Sequence, residues 1–250
     1  MSNELEGKVA IVTGGGGGIG SRIARLFANA GAKVVVASRS LEKLKKVVDD
    51  IEAQGQQCLA VACDVTDPDQ VDQMIEETVS TFGDLDILVN NAGGAMVVKP
   101  PEELLPSEWQ AAMALNLDSV FYCSKAASKH MMKKSKGKII NISSVAGIKH
   151  SPAFVHYGVA KAGVINLTKS LAVCWGDHNI NVNCISPGLT ATEGVTKWLP
   201  PKTRDDGSPV PPLRYPPNPE NVAELALFLA SAASDRISGE MFPIRALNEV

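Results

Sequence analysis

The stretch "KVAIVTGGGGGIG", residues 8–20, runs from a short apolar segment straight into five consecutive glycines and then into the start of an amphipathic segment. The apolar part is rich in Val and Ile and short enough to be a strand buried on both faces. Glycines at its end permit a tight turn and let backbone N–H groups approach an anion at a helix N-terminus. Following a strand and opening a helix, a G-x-G-x-x-G spacing points to a dinucleotide pyrophosphate. Five glycines allow two registers, Gly15, Gly17 and Gly20 or Gly14, Gly18 and Gly20. So glycine-rich a loop gives up much backbone freedom on ordering, so it is expected to be mobile until ligand binds.

The same alternation continues along the chain. "KVVVAS", "QCLAVAC", "DILVNN", "KIINIS" and "INVNCI" read as further buried strands, separated by segments of helical period. Leu41, Leu44, Val47, Val48 and Ile51 recur at helical spacing after Ser40, a helix cap. Val71, Met74, Ile75, Val79 and Phe82 do the same after Asp67 and Pro68. Right-handed crossovers then predict an α/β fold, a single-domain doubly wound parallel sheet of Rossmann type with helices on both faces, spanning residues 1–250. One compositional break, "WLPPKTRDDGSPVPPLRYPPNP" at 198–219, carries too many prolines for regular helix or a central strand. A loop this long inside a compact domain predicts a substrate lid over residues 194–215.

Composition limits the function classes. The chain has 250 residues, 45% hydrophobic and 5% aromatic, with a formal net charge of −3 from intermixed acids and bases. No basic face suited to a polyphosphate backbone is evident, which argues against nucleic-acid partners. The N-terminus has acids where a signal peptide needs bases, and no apolar run is long enough to span a bilayer, so a cytoplasmic protein without membrane partners is expected. Cys58, Cys63, Cys123, Cys174 and Cys184 form no CxxC pair and read as reduced thiols in or near the core. The histidines at 130, 150, 156 and 178 lack metal-ligand spacing, so no metal is expected.

In "NISSVAGIKHSPAFVHYGVAKAG", residues 141–163, Tyr157 and Lys161 stand four apart and so share one helix face. That spacing lets an ammonium act on a phenol. Taken with T-G-x-x-x-G-x-G at Thr13, Gly14, Gly18 and Gly20, N-N-A-G at Asn90 to Gly93, and N-x-S-S followed by Y-x-x-x-K at Asn141, Ser144, Tyr157 and Lys161, the chain resembles the short-chain dehydrogenases/reductases over nearly its whole length. The resemblance implies an oxidoreductase that interconverts a ketone and a secondary alcohol. Tyr157 is then the acid/base, and Lys161, with an oxidised nicotinamide, lowers the phenol's pKa. Ser144 positions the substrate oxygen, with Ser143 turned to the other side of the strand end. Asn116 holds a water leading to Lys161.

The resemblance also implies cofactor contacts from Gly14, Gly16, Gly17, Gly18 and Ile19, from Asp64 and Val65 at the adenine, and from Asn91, Ala92 and Gly93. Tyr157, Lys161, Pro187, Gly188, Thr190 and Thr192 join them near the nicotinamide and phosphates. An NAD site usually carries a carboxylate ~20 residues beyond the glycines, on the ribose hydroxyls. Ser38 stands there instead, followed by Arg39 and Ser40, a set suited to a 2′-phosphate. NADP(H) is the preferred cofactor on this reading, with NAD(H) the alternative and no second basic residue within the glycine loop.

Ala95, Met96, Val145, Phe154, Leu189 and Trp198 form a largely apolar set expected around a small-molecule ketone or alcohol. Lys99, Lys149 and Arg214 are the cations that a substrate carboxylate or coenzyme A could use, but surface cations are usually only solvated. Alternatives to a carbonyl reductase are an NAD-dependent alcohol dehydrogenase, a 3-ketoacyl-thioester reductase and, outside enzymes, a non-catalytic NADP-sensing regulator. The last predicts loss of Ser144, Tyr157 or Lys161, and all are present. A homo-oligomer, tetramer or dimer, is expected through long helices near residues 107–132 and 157–175. The C-terminal "MFPIRALNEV" departs from the family's usual V-D-G-G ending, with Arg245, Ala246 and Leu247 in its place, which leaves a second interface open.

Overall fold

The computed structural model describes residues 3–247, so Met1, Ser2 and the final Asn248 to Val250 of the C-terminal stretch lie outside the described residues. Seven strands form one parallel sheet: β1 (Val9–Thr13), β2 (Lys33–Ser38), β3 (Cys58–Ala62), β4 (Ile87–Asn90), β5 (Gly137–Ile142), β6 (Ile180–Pro187) and β7 (Met241–Ile244). Their spatial order is β3-β2-β1-β4-β5-β6-β7. The chain winds outward from β1 to β3, then returns to pair β4 on the other side of β1. That reversal between β1 and β4 opens a crevice at the C-terminal strand ends, where ligands bind in such sheets.

The apolar runs of the central strands are continuous because these strands are covered on both faces. In β1, Ala10 and Val12 face a layer made by α1 (Gly18–Asn29), α2 (Leu41–Glu52) and α7 (Pro219–Ala230), with Ile23, Phe27, Leu44 and Val222 buried there. Ile11, between them, faces the layer of α3 (Pro68–Phe82), α5 (Ser119–Lys133) and α6 (Val155–Trp175), with Met74, Cys123, Ala127 and Leu171. Each fully buried Ile or Leu contributes about 1.5–3 kcal/mol over its exposed state. Ser40 caps α2 by accepting from the Lys43 N–H, and the Asp67 carboxylate caps α3 by accepting from Asp69 and Gln70. Helix α1 differs: its first turn has no acid and no side-chain cap, so its leading N–H groups stay available to an anion.

Two local expectations change. The segment 107–132 is two helices, α4 (Pro106–Met113) and α5, joined by a π-helical turn over Ala114–Asp118. Cys174 is exposed at the end of α6, because its position on the helix points away from the sheet; the other four cysteines are buried or partly buried, and all five are free. Pro243 sits in β7, the sheet edge, where the missing N–H costs no ladder partner on the outer side. The proline-rich excursion has short 3₁₀ turns at Glu193–Trp198 and Pro212–Arg214 and one antiparallel bridge between Thr203 and Pro209. Among the described residues, no helix is long and apolar enough to cross a membrane.

The glycine run is not uniform in its demands. Gly14 and Gly18 hold φ of +65° and +50°, whereas Gly17 is extended at φ −179°. A Cβ at Gly20 would strike the Gly14 carbonyl oxygen and lie 2.5 Å from Asn91 Nδ2, while one at Gly17 would meet nothing within 4 Å. Gly20→Ala is therefore expected to cost about 1–3 kcal/mol, lowering Tm by roughly 2–10 °C. Gly17→Ala should leave Tm within about 1 °C. Differential scanning calorimetry of the two variants checks the contrast.

Candidate active site

The crevice is held open by a clasp between the first turn and the end of β4. Thr13 Oγ1 accepts from the N–H groups of Asn91 (3.0 Å) and Ala92 (3.1 Å) and donates to the Val89 carbonyl (3.3 Å). Asn91 Nδ2 returns bonds to the carbonyls of Thr13 (3.0 Å) and Gly14 (3.3 Å). Asn91 thus shapes the glycine turn with its side chain, and Gly16 and Gly17 remain on the outside of that turn. Ile19 packs partly buried against the core behind the loop. Thr192 closes the far side, since a Cβ at Gly18 would lie 3.6 Å from its Cγ2. Open space at Gly17, uncapped N–H groups on α1 and no acid in its first turn make a cradle that fits a pyrophosphate.

At the end of β2, Ser38 is bound into a turn: its hydroxyl donates to the Ser40 carbonyl (3.1 Å) and accepts from the Ser40 N–H (3.3 Å). Arg39 is exposed beside it. Lys43, which the sequence reading missed, lies next to the glycine loop, its Cβ 3.0 Å from where a Cβ of Gly16 would be. The signal for it was its place on the first turn of α2, three residues after the Ser40 cap. Asp64 accepts from the Thr66 N–H (3.0 Å) and hydroxyl (2.8 Å), and Val65 is buried behind it.

On the other side of the crevice, β5 delivers Asn141, Ser143 and Ser144 while α6 delivers Tyr157 and Lys161. Ser143 is buried and donates to the Lys161 carbonyl at 2.7 Å, tying the helix to the strand end. Ser144, its neighbour, is turned the other way and faces the Tyr157 phenol. Lys161 is 3% exposed and donates to the Ile142 carbonyl at 2.9 Å, with its Nζ 5.6 Å from the Tyr157 ring centroid. Gly93 must lack a side chain here, because a Cβ would lie 2.7 Å from Asn116 Oδ1 and 3.2 Å from Lys161 Nζ. Asn116 sits in the π-helical turn and clasps Gly94. Its Oδ1 accepts from the Gly94 N–H (2.8 Å), and its Nδ2 donates to the carbonyls of Gly94 (3.1 Å) and Ala112 (3.1 Å). Only the second lone pair of Oδ1 is left for another donor.

Burial governs both titrating groups. It pushes the Tyr157 phenol up, against a smaller lowering by the Ser144 hydroxyl, so in the chain alone Lys161 does not bring about the depressed phenol expected from the sequence. The physical reason is that Lys161 is itself desolvated, which pushes its ammonium down to about 8. Beneath these groups lies a network the sequence reading did not identify: Asn90 Nδ2 donates to Ser124 Oγ (2.9 Å) and Asn141 Oδ1 (2.9 Å), and Asn141 Nδ2 donates to Thr168 Oγ1 (2.9 Å). It locks β4, β5, α5 and α6 together. His156 is buried, with Nε2 unpartnered among the described residues.

A cleft of about 760 Å³ opens beside Ser144, walled by Val145, Gly188 and Leu189. Thr190 is buried, its hydroxyl donating to the Gly188 carbonyl at 3.1 Å, and Pro187 pairs with Ile244 at the end of β6. Of the other residues expected around substrate, Phe154 is half-buried, Ala95 and Met96 are exposed on the loop after β4, and Trp198 is 66% exposed. Lys99 is engaged by Glu108 at 2.6 Å and is not an anchor. Among the described residues no group of His, Cys, Asp and Glu could hold a metal ion.

The family model described as short chain dehydrogenase matches residues 8–202. The chain belongs to the short-chain dehydrogenase family. It is an oxidoreductase of the kind acting on CH–OH groups. A 3-oxoacyl-[acyl-carrier-protein] reductase of Thermotoga maritima is 38% identical over 243 residues, covering 96% of this chain and 97% of the relative. Among solved structures, a 7α-hydroxysteroid dehydrogenase complexed with NADH and 7-oxo glycochenodeoxycholic acid superposes with a TM-score of 0.89 at 34% identity, covering 98% of this chain and 95% of that one. An NAD⁺-bound xylitol dehydrogenase gives 0.89 at 28% identity, covering 98% and 100%.

The depressed Lys161 of this short-chain dehydrogenase makes a stability prediction. Between about pH 8, where the folded ammonium loses its proton, and the unfolded value of 10.5, the unfolded chain binds the extra proton. Stability therefore rises with pH across that window and is flat below it with respect to this group. In thermal melts of the cofactor-free protein, the Tm of the parent relative to that of Lys161→Met should be steady up to about pH 8 and increase from there to pH 10.

Proposed function

We propose that the protein interconverts a ketone and a secondary alcohol, preferring NADP(H), with Tyr157 as the acid/base. The observation that carries this is the convergence of Ser144, Tyr157 and a buried Lys161 beyond the end of β5, next to a cleft whose lining includes the adjoining Val145. Gly14, Gly16, Gly17, Gly18 and Ile19 would hold the pyrophosphate, Asp64 and Val65 the adenine, and Asn91, Ala92, Gly93, Pro187, Gly188, Thr190 and Thr192 the nicotinamide half. The bound nicotinamide supplies or accepts the hydride at the substrate carbon.

In the reductive direction the Ser144 hydroxyl donates a hydrogen bond to the carbonyl oxygen and holds it against the phenol. Tyr157 gives its proton to that oxygen as the carbon gains the hydride, so a neutral carbonyl becomes a neutral alcohol and the phenol becomes a phenolate. Lys161 then stabilises the phenolate. Burial keeps the phenol protonated until transfer and at the same time makes it a weaker acid, so the nearby Lys161 has to offset the cost of forming the phenolate. A water on the remaining lone pair of Asn116 Oδ1, beside Lys161 Nζ, would return the proton from solvent. The excursion over 194–215 would cover the cleft as a lid. Exposed Phe121, Val159 and Val173 on α5 and α6 suit a homo-oligomer.

Preference for NADP(H) rests on three features at the ribose end: no carboxylate at Ser38, the exposed guanidinium of Arg39, and Lys43 beside Gly16. Lys43 supplies the second basic residue that the all-glycine loop lacks. The solved relatives that hold NADH and NAD⁺ make NAD(H) the competing cofactor. A second reading, reduction of a 3-oxoacyl thioester, is favoured by the relative from Thermotoga maritima.

Tyr157→Phe is expected to lower kcat by about 10³-fold or more with NADP(H) affinity kept within about threefold, since only the transferable proton is removed. Stopped-flow turnover and fluorescence titration measure the two quantities separately. Residual turnover within tenfold of the parent would refute the acid/base role.

For cofactor choice, kcat/KM should favour NADP(H) by about tenfold to a hundredfold, the value of a charge-assisted phosphate contact. The double change Ser38→Asp with Arg39→Leu should reverse the order by setting a carboxylate against the phosphate. Steady-state rates with both cofactors on one ketone decide this.

A further inference from the structure

Part of the lining of the cleft beside Val145 and Leu189 is basic. Lys149, His150, Arg214 and Arg245 line it, and among the described residues no Asp or Glu does, in a chain whose formal net charge is −3. Lys149 and Arg245 form no ion pair with any described residue, in contrast to Lys99, Lys134 and Lys138, which are matched with acids. The two come from distant parts of the chain, one from the loop after Ser144 and the other from just beyond β7.

Arg245 is held there by the sheet. Ile244 pairs with Pro187 and accepts the Gly188 N–H at 2.9 Å, which fixes the backbone one residue before Arg245. Arg245 then packs directly on the turn at Gly188, where a Cβ would approach its own Cβ to 2.8 Å. Its stem is thus anchored on the same turn that walls the cleft, and its guanidinium is exposed, bonded only weakly to the Ala246 carbonyl at 3.4 Å. The residues that depart from the family's usual C-terminal ending therefore stand in the substrate cleft.

We propose that the substrate of this enzyme carries an anionic group, a carboxylate or a phosphate monoester, separated by an apolar body from the reacting carbonyl and held by Lys149 and Arg245. This rests on the ketone/alcohol reading of the same site and names its substrate class. The apolar Val145, Ile148 and Leu189 suit the body, and a cleft of about 760 Å³ is large enough for both parts. A planar guanidinium and an ammonium together match the oxygens of either anion. Because both cations are exposed, the substrate's own apolar body has to exclude water for the contact to gain strength.

The test is a series of methyl-ketone fatty acids of increasing chain length, each compared with its methyl ester and with the phosphate monoester of the matching keto alcohol. Turnover is followed with NADPH, and binding by calorimetry to the cofactor-loaded protein. The anionic forms are expected to exceed their esters by about tenfold in kcat/KM at one optimal chain length, through KM. Arg245→Leu and Lys149→Gln should each reduce that ratio about fivefold, whereas Lys46→Gln, which removes the same charge from α2, should not. Preference for carboxylate or phosphate identifies which anion the site takes. Equal binding of acid and ester at every length, or a preference untouched by both cleft variants, overturns the proposal even if the ketones are reduced. Tighter binding of the anions with no reduction of any ketone leaves the anion subsite standing and overturns the ketone reading alone.

Discussion

The hydroxyl of Thr13, shared between the N–H groups of Asn91 and Ala92, is the interaction on which the site's two halves depend. Those halves belong to strands that diverge at β1 and β4, and nothing in the parallel ladder itself fixes how their trailing loops meet. The Thr13 hydroxyl and the returning bonds from Asn91 fix it. Gly20 must lie against this clasp for α1 to begin where it does, and so the direction of the helix N-terminus follows from a side chain on another strand. The cofactor cradle is consequently tied along the chain to Gly93 and Gly94, and from there by the buried Asn116 side chain to the π-helical turn, with Lys161 Nζ close by.

Much of this was legible before any coordinates. Six strands could be read because burial on both faces makes their sequences uniformly apolar, and Ser40 and Asp67 marked helix starts because a cap is a local interaction. What could not be read depends on contacts between distant segments. The π-helical turn at Ala114–Asp118 keeps helical composition throughout, and its reason, the approach of Asn116 to Gly94, lies in another loop. Arg245 looked like a matter for a subunit interface, since only the pairing of β7 with β6 shows that it meets Gly188. Lys43 went unnoticed for the same reason: its neighbour Gly16 belongs to the preceding βα unit. The exposed Cys174 was misjudged because a single apolar residue near a helix end carries little periodic information.

The site also shows how the fold sustains an unfavourable arrangement. A lysine with 3% exposure and one carbonyl partner, Ile142, is a desolvated cation, and burial lowers its proton affinity toward neutrality. The Asn90, Asn141 and Thr168 network and the Ser143 bond to the Lys161 carbonyl hold α6 against β5 so firmly that the ammonium cannot swing out to water. Rigidity of this kind keeps the Tyr157 and Lys161 side chains at fixed separation while their charges change.

That rigidity assigns different tasks to the two walls of the crevice. The inner wall, made by β5 and α6, is tied together by bonds within the protein, from Ser143 to the Lys161 carbonyl and from Lys161 to that of Ile142. The outer wall includes the exposed side chains of Leu189 and Arg245 and part of the proline-rich excursion. Burial strengthens electrostatic effects at the inner wall and water weakens them at the outer one. A substrate with an apolar body bridging the two walls would carry the desolvation outward, so that binding at the outer wall becomes effective only when the reacting carbonyl is seated at the inner one.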